Sequence, residues 1–155
     1  MNYWLMKSEP SVFGIDALAA LRGKRSPWDG VRNYQVRNML RDQMKKGDLA
    51  FFYHSSCEVP GIYGIVRVVK EGYPDLTAFD AKHHHYDADS DPAKPRWYMV
   101  DVVLERKLRA PITLETLKQR AASFPDLLIL RRGNRLSITP VSTSDWQRII
   151  KLERV

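Results

Sequence analysis

Two runs rich in aromatic and β-branched residues, DLAFFYHS (48–55) and GIYGIVRVVKEG (61–72), flank the short spacer SCEVP, and this pair constrains the fold more than any other feature. Such side chains suit a pleated, half-buried surface, so both runs predict strands. A connection this short joins them as an antiparallel hairpin. NYWLMK (2–7) predicts an earlier strand that ends before Pro10, and RWYMVDVVLERKL (96–108) predicts a later one. Strands that follow one another without an intervening helix do not describe a doubly wound parallel sheet.

The helical segments carry their own start and stop signals. SVFGIDALAALRG (11–23) places Ile15, Leu18, Ala19 and Leu21 at helical spacing, with Gly23 as the stop. From Asn33 to Lys46, Val36, Met39, Leu40 and Met44 share one face, while Arg37, Arg41 and Lys45 recur every four residues on another. Asn33 is the expected cap and Gly47 the stop. Thr113 is placed to cap a further helix stapled by Ile112 and Leu117, and Ser142 with Asp145 forms the capping box of the last, whose Trp146, Ile149 and Ile150 face inward. PDLLIL and RLSITPV bracket the basic turn RRGN (131–134), and Tyr73 to Pro95 reads as one long loop. The expected architecture is a single domain over residues 1–155, of the α/β (α+β) class, with a small mixed sheet curled toward a barrel and helices outside.

Charge narrows the partners. The 25 Lys and Arg against 18 Asp and Glu leave a net +7, which favours polyanions through the long-range field and counterion release. Cys57 stands alone, so neither an internal disulfide nor a cysteine-based zinc motif can form, and a reducing compartment is expected. The first residues lack the apolar core of a signal peptide and no run is long enough to span a membrane, so an intracellular protein is expected.

Catalytic and metal chemistry find little support. His83, His84 and His85 are consecutive, and neighbouring side chains in a loop or strand diverge; no spaced Cys, Asp or Glu completes a tetrahedral set. Neither a metal nor another cofactor is expected. His54 near Ser55 and Cys57 lacks an orienting acid, and RRGNR is too short for a phosphate-binding loop. What remains is polar groups beside aromatics at strand ends and turns: Lys7, Ser8 and Glu9; Trp28 and Asn33; Tyr53, His54 and Ser55. An aromatic face stacks on a planar base while hydroxyl and amide groups read its hydrogen-bonding edge.

The stretches YWLMKSEP, WDGVRNYQVRNML, KKGDLAFFYHS, GIYGIVRVV, YPDLTAFD, DSDPAKPRWYMVDV and LLILRRGNRLSITPVSTSDW resemble, in order and over nearly the whole chain, the EVE domain of the PUA-like group, which also includes YTH and ASCH domains. The resemblance implies a PUA-like, mixed, mainly antiparallel barrel of five to six strands with flanking helices and a pocket for a modified base. EVE domains are associated with modified cytosines in DNA; YTH relatives hold methylated adenine in RNA with a tryptophan cage. By that analogy Trp28 forms one wall, with Lys7 and Ser8 at the base. Ser8, Asn33, Tyr53 and Ser55 are the candidate groups at the base edge, with His54 a further candidate pocket residue that is read first as hydrogen-bonding inside the fold. Tyr86 and Trp97 are candidates for the second wall, with Trp97 favoured as core. Arg32, Arg37, Arg41, Arg131, Arg132 and Arg135 are the candidate phosphate contacts. The implied partner is nucleic acid, DNA with modified bases first and modified RNA second. Hydrolysis of acylated cytidines by Lys7 and Glu9, as in some ASCH relatives, is the alternative from another class.

Overall fold

The computed structural model describes residues 1–153. Its strands are β1 (Tyr3–Ser8), β2 (Arg25–Pro27), β3 (Leu49–His54), β4 (Gly61–Pro74), β5 (Tyr98–Thr113) and β6 (Ile138–Val141). They form one six-stranded sheet in the order β2-β5-β4-β3-β1-β6. Only β1 and β3 run parallel; every other neighbouring pair is antiparallel. The expected mixed, mainly antiparallel sheet is therefore present. It is not closed into a barrel: β2 and β6 are its outer strands and are not paired with each other among the described residues.

Side-chain alternation divides the core between the two faces of this sheet. Trp4 and Met6 of β1, Ala50 and Phe52 of β3, Val66 and Val68 of β4 and Val100 and Val102 of β5 belong to one buried cluster. Leu5, Phe51, Tyr53, Ile62, Ile65 and Val141 belong to the other, with Trp146 stacked on Phe51 at 3.9 Å between ring centroids. The register between β4 and β5 shifts at four points, and bulges of this kind add twist and bend long strands around a core. Asp48 is the buried polar anchor of the first cluster: its carboxylate accepts from the Trp4 indole (3.0 Å) and from the backbone N–H groups of Asn2 (3.0 Å) and Lys45 (2.9 Å).

Helices α1 (Pro10–Phe13), α2 (Ile15–Ala20), α3 (Tyr34–Asn38), α4 (Leu114–Gln119) and α5 (Thr143–Ile150) flank the sheet. Three expected caps are made: Asn33, Thr113 and Ser142 accept from the backbone N–H groups of Val36, Thr116 and Asp145. Two expectations fail locally. The helix expected over residues 11–23 is two short ones, because Gly14 is extended and the Ile15 N–H turns to the His54 imidazole, which accepts it at Nε2 (3.1 Å). The helix expected over residues 33–46 widens after Asn38 into a π-turn at Met39–Gln43, so the arginine stripe does not continue straight along it. PDLLIL contains a 3₁₀ turn at Leu128–Leu130. No helix among the described residues is long and apolar enough to cross a membrane.

Candidate nucleic-acid interface

A cavity of about 650 Å³ opens where the two outer margins of the sheet approach each other. On one side lie Lys7 and Ser8 at the end of β1 and Ser137 just before β6; on the other lie Ser26, Pro27 and Trp28. Glu9, Val12 and Phe13, the segment 29–32 and the histidines of the 83–85 turn complete the walls. Its volume falls within the roughly 300–1,000 Å³ of small-molecule sites.

Trp28 joins this cavity to the core. It is only 7% exposed, packs edge-on against Phe52 at 5.5 Å, and its backbone N–H donates to the Val100 carbonyl at 2.7 Å. The indole is thus fixed by the sheet on one side and adjoins the hollow on another. The segment that follows is anchored by Asp75, whose fully buried carboxylate accepts from the Gly30 N–H (2.8 Å), the Arg32 guanidinium (3.1 Å), the Thr77 N–H (3.0 Å) and the Thr77 hydroxyl. Burial alone would raise the Asp75 carboxyl, but these donors outweigh it and hold it below the usual carboxylate range. Arg32 also donates to the His85 carbonyl (2.6 Å), so one arginine ties the Trp28 segment to the histidine turn. Gly30 is required where these pieces meet: its φ of +79° suits glycine, and a Cβ would overlap the His85 ring. Burial, followed by the charges around it, holds the His85 imidazole below the ordinary histidine value, against the opposing pull of Asp29.

The family model described as "EVE domain" matches residues 2–152. The chain belongs to the EVE domain family. Thymocyte nuclear protein 1 of Mus musculus is 44% identical to this EVE domain over 98% of the chain and 74% of its own length. The Danio rerio protein of the same name is 43% identical, over 97% of this chain and 71% of its own. Among solved structures, a Pseudomonas putida protein superposes with a TM-score of 0.93 at 46% identity, covering 98% of this chain and 99% of that one. Human THYN1, crystallised in complex with 5-methylcytosine-containing DNA, superposes with a TM-score of 0.93 at 41% identity, over 100% of this chain and 99% of that one.

In this EVE domain the cavity gathers Lys7, Ser8, Trp28 and Arg32 of the expected residues. The Ser8 hydroxyl donates to the Phe13 carbonyl at 2.6 Å, which leaves its lone pairs free to accept. Burial lowers the Lys7 ammonium below the ordinary lysine value. The other expected pocket residues do not line the cavity. Asn33 spends its side-chain oxygen on the α3 cap (3.0 Å), and Tyr53 is buried in the cluster on the opposite face, its hydroxyl pushed up to about 12 by burial and by the nearby Cys57. His54 is buried, stacked on Tyr63 at 4.0 Å, and fastens α2. Ser55 continues the turn after β3, with its N–H on the Ser8 carbonyl (3.0 Å). Tyr86 is exposed beyond the histidine turn, and Trp97 is buried, with its indole donating to Asp87 (2.6 Å) and Tyr34 stacked on it at 4.9 Å.

The arginines divide in the same way. Arg32 is held inward by Asp75 and His85, and Arg37 donates to the Arg96 carbonyl (2.8 Å) and lies over the Tyr34 ring. Arg41 pairs with Asp42 at 2.8 Å; both are exposed, and such pairs are worth only about 0–1 kcal/mol, so a phosphate can take the guanidinium over. Arg131, Arg132 and Arg135 are exposed, with Asp126 3.6 Å from Arg131. Sequence reasoning missed Ser26, Ser137 and all three histidines as wall residues. The histidine triplet was visible as a motif, but nothing in the sequence folds its turn back over Trp28.

Proposed function

We propose that this EVE domain is a non-catalytic reader that accommodates a modified base, 5-methylcytosine in DNA foremost, in the cavity beside Trp28. The observation that carries the reading is the cavity itself: a base-sized hollow with an indole on its wall, in a chain whose backbone superposes on human THYN1, crystallised with DNA containing that base. The target nucleotide leaves its stack and enters between Trp28 and the turn at residues 83–85. That turn takes the place expected of Tyr86 as second wall, since its imidazoles line the hollow and Tyr86 does not. Ser8, Ser26 and Ser137 then supply hydroxyls within the hollow to test the base edge. Exposed Arg41, Arg131, Arg132 and Arg135 hold neighbouring phosphates, contributing a salt-sensitive but sequence-independent increment.

Stacking on an aromatic ring contributes about 1–3 kcal/mol per base, and a methyl group in an apolar niche shifts affinity by a similar amount. Fluorescence anisotropy with duplexes that differ only in 5-methylcytosine measures both. Trp28→Ala should weaken binding of the methylated duplex by about 5–150-fold. Trp28→Leu, which retains part of the apolar volume against Phe52, should do the same, with folding checked by circular dichroism. Unchanged affinity in a folded Trp28→Leu protein refutes the stacking reading, and tighter binding of the matching RNA redirects it to modified RNA.

Hydrolysis of acylated cytidine is the second reading, because Lys7 and Glu9 both line the cavity and burial lowers the Lys7 ammonium. Product release followed by mass, lost in Lys7→Ala, supports it; no turnover rejects it.

A further inference from the structure

Base stacking does not account for how the three imidazoles are arranged. Consecutive residues ordinarily direct their side chains apart, and divergence was the sequence expectation for this triplet. Instead the backbone turns tightly: the His83 N–H donates to the Asp80 carbonyl (2.9 Å) and the Tyr86 N–H to the His83 carbonyl (3.0 Å). One nitrogen from each ring consequently lies within 4.8 Å of the other two. The ring centroids are 3.9–4.8 Å apart, and Nδ1 of His85 is buried without a hydrogen-bond partner among the described residues. Three clustered imidazoles, one of which also carries a buried nitrogen without a partner, are an arrangement in which a bound cation would take up otherwise unused lone pairs.

We propose that His83, His84 and His85 bind a divalent ion of the Zn²⁺, Ni²⁺ or Cu²⁺ type, whose remaining coordination positions open into the cavity. Imidazole nitrogens suit these borderline ions, whereas Mg²⁺ and Ca²⁺ require oxygen ligands. Three protein ligands leave a fourth position open to water or a bound guest, whereas a closed structural zinc takes four. Metal–nitrogen bonds of about 2.0–2.1 Å place tetrahedral ligand atoms about 3.3 Å apart, so the rings must close in by up to about 1.5 Å. His84 is exposed and its side chain makes no hydrogen bond among the described residues, so its ring can turn toward the other two. His83 Nδ1 now accepts the His85 N–H (3.0 Å), a hydrogen bond that the coordinate bond replaces if Nδ1 is the ligand. All three residues line the cavity beside Trp28, so a water, or an anion carried by a guest, would complete the coordination sphere there.

The test uses the untagged chain, freed of metal by chelator and containing no nucleic acid, so its outcome is independent of base reading. Titration calorimetry with ZnCl₂ and NiCl₂ should show one saturable ion per chain, and the Cu²⁺ spin-resonance spectrum should carry nitrogen hyperfine structure. His84→Ala should weaken binding by more than the roughly 10–100-fold that loss of an outer hydrogen-bond partner costs, while Tyr86→Ala should leave it unchanged. The proposal is overturned by the absence of one-to-one binding, or by undiminished binding in His84→Ala. His84 makes no side-chain hydrogen bond among the described residues and this variant should fold, which far-ultraviolet circular dichroism checks.

Discussion

Asp75→Ala is the sharpest perturbation of the site, because the replaced carboxylate touches neither a guest nor solvent. It is 0% exposed and gathers Gly30, Arg32 and Thr77. Its removal strands the Gly30 and Thr77 N–H groups, at about 1–3 kcal/mol for each that no water reaches. The Arg32 side chain is 25% exposed and keeps its bond to the His85 carbonyl, so its charge is partly rehydrated and does not exact the full penalty. Together they give about 2–6 kcal/mol, centred on the range of about 3–5 kcal/mol for breaking a buried pair from one side, which is taken as the expected loss. In a chain of this size each kcal/mol moves the melting temperature by about 2–4 °C, so a drop of roughly 6–20 °C is expected. Asp75→Asn keeps shape and one acceptor and should lie between. Urea denaturation of both variants, with Arg32→Ala and the double variant completing the cycle, isolates the Asp75–Arg32 coupling. A loss below about 1 kcal/mol in Asp75→Ala, or simple additivity with Arg32→Ala, refutes the view that one carboxylate organises this wall.

Three further outcomes follow from local geometry. His54 is held below its ordinary value, chiefly by burial, so its contribution to stability is complete above the unfolded value near 6.5 and is lost as pH falls through the lower folded value. Urea midpoints from pH 8 to pH 5 should therefore fall more steeply for the native chain than for His54→Gln, and parallel slopes contradict this. Gly30→Ala combines a strained φ with a collision at His85 and should lower stability by about 1 kcal/mol or more, with displaced imidazole signals in nuclear magnetic resonance spectra; unmoved signals contradict the contact. Arg132→Ala should reduce the slope of log affinity against log salt by about 1 and weaken methylated and unmethylated duplexes alike, whereas a loss confined to one of them rules out a phosphate contact.

Much of the scaffold was legible because its signals are local. Asn33, Thr113 and Ser142 cap where their types and spacing place them, and alternation in LAFFYH separates Phe52 from Phe51 and Tyr53 onto opposite faces as a strand must. The same alternation carries Tyr53 away from the cavity, although its place beside His54 and Ser55 in the chain suggested a shared site. β2 carries no strand signal of its own: three residues, one of them Pro27, have no periodicity, and only pairing with Val103, Val102 and Asp101 makes them a strand. The break at Gly14 depends on His54, about forty residues later, and helix patterns contain no such term. Trp28, Lys7 and Ser8 were placed through family resemblance, while the histidine wall is created by tertiary contacts among Gly30, Arg32 and Asp75 that no short window contains.

The sheet is left open, and its two free margins carry the lips of the hollow: Ser137 before β6 on one, Ser26 to Trp28 in and after β2 on the other. Neither lip is a central strand, and apart from Trp28, which is rooted in the core, residues such as Ser26 and Ser137 can be exchanged without rebuilding the hydrophobic slab beneath them. A lineage can thus change what such a mouth accepts while keeping the jaw that supports it.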